Sequence, residues 1–240
     1  MLDVSDSRNF SRTLAGLGLV LGPLFFLIGS MIDPAWSDNR ATYLETVAGA
    51  PGRYLFAGAL WTLGALLFIP GMLGVMKIMR GRGLTLGQVG AGLITFGLIL
   101  LAGNLAFYGM DVAMAQFADR NAAVAMVEAM EGSAVLGPYY MVAFLGGVVL
   151  GSILLAVALF RRRVVPVWAP VLLVASTLLG FVGETQLLST LSLLLLVAGL
   201  FPLSRRILSL SDEAWALWEP LGPAPGTSTV TSSPPGPAPA

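Results

Sequence analysis

Asn104, Tyr108 and Asp111 stand at positions i, i+4 and i+7 of a long apolar run. On a helix that spacing stacks an amide, a phenol and a carboxylate along one face. A polar group surrounded by hydrocarbon needs a partner. Asn104 therefore has two readings. It is either an interhelical hydrogen bond that fixes packing, worth about 0.6–2 kcal/mol, or part of a functional site. Three more charged residues fall at the ends of apolar runs and are expected at a similar depth: Asp33, Arg53 and Glu184. They read either as ordinary interfacial charges, with Arg53 paired to an acid, most favourably Asp111, or as an entry site for a cation or proton.

Other chemistry is restricted by composition. The chain has no cysteine and no histidine, which removes thiolate catalysis, disulfides, Ser-His-Asp triads and the commonest metal ligand. Met110 with Met114, and Met126 with Met130, have the i, i+4 spacing of paired soft ligands for Cu(I). Methionine is also a routine packing residue, and no histidine or cysteine supplements these pairs, so a core or interface role is expected. No phosphate-binding loop or dinucleotide motif occurs in the required strand context. No catalytic set is visible, and neither a cofactor nor nucleic acid is expected.

The elements that must position these residues are six apolar stretches: Leu14–Ile32, Tyr54–Met76, Leu84–Tyr108, Leu136–Phe160, Val164–Val182 and Leu187–Leu203. Each is close to the roughly 20 residues a helix needs to cross a bilayer. Hydrophobic residues make up 56% of the chain and charged ones only 11%, against about 25% charged in soluble domains. Backbone in lipid must satisfy its own hydrogen bonds, so helices are expected. The loops alternate between arginine-rich and arginine-poor. Of the 13 basic residues, ten fall on one side: Arg8, Arg12, Lys77, Arg80, Arg82, Arg161, Arg162, Arg163, Arg205 and Arg206. The positive-inside rule makes that side, with both termini, cytoplasmic. The apolar run after Arg8 and Arg12 is longer than a signal-peptide core and lacks a clear cleavage site, so it reads as a retained first span.

The expectation is an all-α, polytopic six-helix transmembrane bundle over residues 1–208. A candidate interfacial helix follows at 209–219, with Trp215, Leu217 and Trp218 near the inner interface. A Pro/Gly/Ser/Thr-rich tail over 220–240 is too poor in apolar residues to fold. An amphipathic outer helix is expected from Asp119 or Asn121 to about Met130. Gly18 with Gly22, Gly83 with Gly87, and Gly147 with Gly151 permit close helix contact.

The basic turn Arg161-Arg162-Arg163 followed by Val165-Pro166-Val167-Trp168, together with a long first outer loop and Arg53 before the second span, resembles a domain-of-unknown-function family of small six-span bacterial membrane proteins. In that family a Gly commonly follows the Trp where Pro170 stands here. The resemblance implies the six-span fold and no chemistry. The leading functional expectation is a non-enzymatic protein of the bacterial cytoplasmic membrane, an accessory or partner-binding subunit. Its partners would be the bilayer and another membrane protein or a second copy of itself. The alternative is a small-solute or ion transporter using Asp33, Arg53, Asn104, Tyr108, Asp111 and Glu184 as an outward-facing polar site.

Overall fold

A computed structural model of the chain describes residues 6–37, 39–79, 85–182 and 185–217. Among these residues every regular element is helical. The elements are α1 (Ser7–Ile32), α2 (Arg40–Gly49), α3 (Pro51–Ile78), α4 (Thr85–Leu101), α5 (Asn104–Ala115), α6 (Arg120–Glu131) and α7 (Leu136–Met141). A π-helical segment, Val142–Val149, leads from α7 into α8 (Leu150–Arg162), followed by α9 (Trp168–Val182), α10 (Gln186–Leu208) and α11 (Asp212–Leu217).

Five helical stretches are long and apolar enough to cross a membrane: α1, α3, α4 with α5, α7 through α8, and α10. The fifth expected span is shorter than its sequence suggests, because α9 has 15 residues and starts at Trp168 rather than Val164. Pro166 explains the late start. Its ring lacks an N–H and pushes Val165 out of helical geometry. Just before it, Arg163 closes α8 in the left-handed conformation, at φ 49°. At 1.5 Å per residue, α9 covers about 22 Å.

Six elements close into a ring. α1 packs on α3 and α10, α3 on α4, α4 on the π segment and α8, α8 on α9, and α9 on α10. Small residues allow the tightest of these contacts. A Cβ on Gly22 would lie 2.8 Å from the Phe68 backbone, and one on Gly147 would lie 2.6 Å from Gly97 Cα. Two of the anticipated small-residue pairs, on α1 and on the segment from Gly147 to Gly151, thus sit at real helix crossings. Gly83 lies outside the described residues. Large apolar side chains such as Phe56, Ile99, Phe181 and Phe201 remain exposed on the outside of the ring, as expected of a surface solvated by hydrocarbon.

The two ends are tied differently. At the end carrying the termini, the Arg12 guanidinium pairs with Asp212 at 3.1 Å and donates to the Leu208 carbonyl at 3.1 Å. The Trp215 indole N–H donates to Ser11 Oγ at 2.9 Å, and Lys77 Nζ sits 4.1 Å above the Trp215 ring. Trp215 is therefore buried against α1 and α3. At the opposite end a separate small core forms. Leu44 and Val47 of α2, Met114 and Ala115 of α5, and Ala123 and Val127 of α6 are its buried members, with Tyr54 of α3. The expected outer helix is α6, capped by the Asp119 carboxylate on the N–H groups of Asn121 and Ala122. Met114 is buried in this core and Met110 and Met130 pack against it, the packing role anticipated for them, whereas Met126 is exposed. The tail from residue 218 lies outside the described residues.

The glycine crossings give the first prediction. Gly22→Val should destabilise the detergent-solubilised protein by about 1–3 kcal/mol through overpacking, read as a lower midpoint in thermal denaturation. Gly109→Ala, where a Cβ meets open space, should leave the midpoint unchanged.

Candidate functional site

At the end of the bundle opposite Arg12 and Asp212, α1, α2, α3 and α5 converge on two carboxylates and three tyrosines. Asp33 caps α1, its N–H bonded to the Gly29 carbonyl at 2.9 Å. Its Oδ1 accepts the Ala35 N–H at 2.9 Å, which turns the chain back at Pro34. That turn leads to Asn39, which caps α2 by accepting the Thr42 N–H at 3.1 Å. Tyr43 thereby faces inward from the first turns of α2. Pro51 opens α3, where its missing N–H costs nothing, and places Tyr54 in the first turn. α5 carries Tyr108 and Asp111 on adjacent turns, as their spacing requires.

Hydrogen bonds join these four elements. The Tyr43 and Tyr54 hydroxyls both donate to Asp111 Oδ2 at 2.7 Å, and the two hydroxyls also touch one another. The Tyr108 hydroxyl donates to Asp33 Oδ2 at 3.2 Å. The Tyr54 and Tyr108 rings lie 4.6 Å apart, and the Tyr43 ring meets Tyr54 edge-on at 6.1 Å. Gly58 makes this possible, since a Cβ there would fall 2.4 Å from Tyr108 Cγ. Asp33 is only 8% exposed. Burial raises its pKa above the usual carboxylate value, against the opposing pull of the Ala35 and Tyr108 hydrogen bonds and the Arg53 charge. Burial, reinforced by the Asp111 charge, also raises the Tyr43 phenol, which holds it as a hydrogen-bond donor.

These residues border a cleft of about 270 Å³ with Ala35, Trp36, Asn104 and Phe107. No basic residue lines it among the described residues. The Trp36 indole N–H is enclosed and finds no acceptor among the described residues. An adjoining cleft of about 350 Å³ shares Tyr43, Phe107 and Asp111, and adds Arg40, Met114 and Met130. A third cavity, of about 240 Å³, lies on the axis of the helix ring. All six ring elements contribute to it: Phe26, Phe68, Leu98, Ser152, Leu173 and Leu193 are one lining residue from each. Asn104 borders both this axial chamber and the outer cleft. It opens α5 where the third span breaks at Ala102 and Gly103. The Tyr139 hydroxyl donates to the Leu100 carbonyl beside the break.

The structure brings together Asp33, Asn104, Tyr108 and Asp111 from the sequence-derived set. Arg53 is placed differently from the expected ion pair. It is exposed, and its Nε donates to the Ile32 carbonyl at 2.6 Å, so it caps the end of α1 while Asp111 takes its bonds from two tyrosines. The physical reason is local. Four carbonyls at a helix end lack partners, and Arg53 reaches one. Gln186 serves the same end, donating to the Ser30 carbonyl at 3.0 Å and to that of Met31 at 3.2 Å. Glu184 lies outside the described residues. Sequence reading missed Tyr43 and used Tyr54 as the start of the second apolar stretch. The usable signal was Asn39 as a helix cap followed by Tyr43, Leu44 and Val47, a face that needs something to cover.

Scans against protein-family models, curated proteins and solved structures find no match to this chain. The likeness in layout around Arg161–Trp168 therefore carries no assignment, and the site must be read from its own chemistry.

Two predictions follow from this geometry. Tyr54→Phe removes a hydrogen bond to a carboxylate and should cost about 1.5–3 kcal/mol, whereas Arg53→Ala, at an exposed site, should cost less than about 1 kcal/mol; thermal denaturation in detergent compares them. The second concerns Asp33, whose pKa is raised on folding. The folded state then binds the proton more tightly than the unfolded state. This group's contribution is fully present below its unfolded pKa of 3.8 and is lost as pH rises through the higher folded value. The stability difference between the wild type and Asp33→Asn should therefore shift against the wild type as pH rises across that window, and a pH-independent difference would contradict the burial effect.

Proposed function

We propose that the chain is a non-enzymatic, six-span protein of a bacterial cytoplasmic membrane, a small-solute transporter that takes a small organic cation at its outward polar site. The reading is carried by one observation: Asp33 and Asp111, edged by the rings of Tyr43, Tyr54, Tyr108 and Trp36, share a cleft with no basic lining residue among those described. Carboxylates attract the charge, and aromatic faces attract a cation that hydrates weakly. In this reading α9 is the sixth crossing, because it fills the ring position between α8 and α10. The arginine distribution supports cytoplasmic termini.

A second reading, an accessory subunit bound to another membrane protein, is favoured by the hydroxyls of all three tyrosines already being engaged with the two carboxylates. In that case the cluster is a structural joint. Uptake of tetramethylammonium into proteoliposomes separates the two. The transporter reading expects uptake several-fold above empty liposomes, and at least about tenfold less of that excess for Asp111→Asn. Uptake equal to empty liposomes, with a stoichiometric membrane partner co-purifying, would support the accessory role instead. For topology, single cysteines at Ser37 and Asn121 should react with an impermeant thiol reagent in intact cells while one at Ser211 does not; the reverse pattern would invert the orientation.

A further inference from the structure

The outer cleft does not stand alone. Asn104 belongs to its wall and also to the wall of the axial chamber. The two spaces differ sharply in chemistry. The cleft has two carboxylates and three phenols, whereas the chamber is lined chiefly by aromatic and aliphatic side chains, with a few hydroxyls. Several of those hydroxyls are already used: Ser176 and Thr177 both donate to the Leu173 carbonyl, at 2.8 and 2.9 Å. A small hydrated cation would gain nothing from such a chamber, because entering it means losing water without replacement ligands. A hydrocarbon chain would fill it without that cost.

Each space also holds an enclosed donor. Trp36 Nε1 beside the cleft and Trp61 Nε1 beside the chamber are buried and take no acceptor from the described residues. An enclosed donor without an acceptor is unfavourable, and a carbonyl oxygen on a ligand would relieve it. Asn104, the residue the two linings share, directly follows the interruption of the third span at Ala102 and Gly103. Irregular backbone at membrane depth is tolerated where it lines a cavity or is buried in protein. The π-helical segment Val142–Val149 faces the same stretch of α4 and contributes Phe144 and Val148 to the chamber.

We infer that the ligand is a single-chain cationic amphiphile, its positive head held between Asp33 and Asp111 in the outer cleft and its hydrocarbon tail passing Asn104 into the axial chamber. This deepens the proposed function and rests on its cation-binding cleft. It specifies the part that cleft alone does not: the tail, and where the tail goes. Arg53 is turned to the Ile32 carbonyl, and Arg40 borders only the adjoining cleft. Neither lines the head pocket.

The test uses the full-length protein in nanodiscs of phosphatidylglycerol, a lipid without a cationic head. The probe is the choline ester of octanoic acid carrying a terminal photoreactive diazirine. After illumination, labelled residues are mapped by mass spectrometry, with and without excess tetramethylammonium, which has the head but no tail. The expected result is labelling of chamber residues such as Phe68, Leu98 and Leu193, reduced at least about fivefold by tetramethylammonium and in the Asp33→Asn, Asp111→Asn double variant. The competition arm uses the unaltered protein, so it decides even where the double variant fails to fold. Labelling confined to outward-facing residues such as Phe56 and Ile99, yet still suppressed by tetramethylammonium, would overturn the tail assignment and leave the cation cleft standing. Labelling insensitive to tetramethylammonium would overturn both.

Discussion

Two carboxylates at one mouth of an apolar bundle impose the constraint on which the rest of that end depends. A buried carboxylate must be neutralised, solvated or surrounded by donors, and the free energy of leaving it bare is several kcal/mol. This chain supplies donors. Asp111 draws in Tyr43 and Tyr54, and Asp33 draws in Tyr108 and the Ala35 N–H. Each donor then dictates something about its own element. Tyr43 can reach Asp111 only if the first outer loop folds back as α2. Tyr54 can reach it only if α3 begins near Pro51. Tyr108 can lie beside Tyr54 only if α3 presents no side chain at Gly58. The outer core of Leu44, Val47, Met114 and Val127 grows around this junction. Its apolar packing and its polar bonds reinforce the same arrangement.

Much of the fold was legible from periodicity and charge because both are properties of segments. Long apolar runs become helices whatever their neighbours do, and the runs in this chain became the ring. The small-residue pairs at Gly18 and Gly22, and at Gly147 and Gly151, were readable for the same reason: spacing alone puts each pair on one face. What sequence could not reach is who meets whom. Arg53 and Asp111 have opposite charges and fall on the same side of the expected membrane, which made a pair attractive. The structure gives Arg53 to the open end of α1 and Asp111 to two phenols. Arg53 bonds the open helix end while its charge still acts on neighbouring Asp33, so Asp111 is not the acid it serves. Similarly, Trp215 reads as an interfacial ring by type, but a serine at position 11 and a lysine at position 77 lie where its N–H and its face can use them.

The ring and the junction are not independent. A six-membered ring of helices leaves space on its axis unless side chains fill it, and here the close crossings at Gly22, Gly90 and Gly97 narrow the wall rather than fill the centre. The axial chamber is what remains. Its outer boundary falls where the third span is interrupted, and the interruption sits between the glycine crossing of α4 and the polar face of α5. Were α4 and α5 one straight helix, the register that lets Gly97 meet Gly147 would also fix the direction of Asp111. The break at Ala102 and Gly103 uncouples them, so the lower half can pack tightly while the upper half turns toward α2 and α3.

That uncoupling has an energetic consequence. At the break the Leu100 carbonyl is held by the Gly103 N–H at 3.3 Å, a longer bond than the 2.8 Å from the Ala102 N–H to the Leu98 carbonyl. Tyr139 gives the same carbonyl a second donor, so the residue that supports the break comes from α7, just before the π-helical segment that packs on α4. Two irregular stretches thus lean on each other, and both border the chamber. Regular helices would satisfy the backbone with fewer conditions. A tyrosine from one stretch bonds to the other, and beside them Asn104 marks a boundary between a charged cleft and an apolar space. Asn104 is therefore the point at which the polar groups of Tyr108 and Asp111 give way to the apolar lining of the chamber.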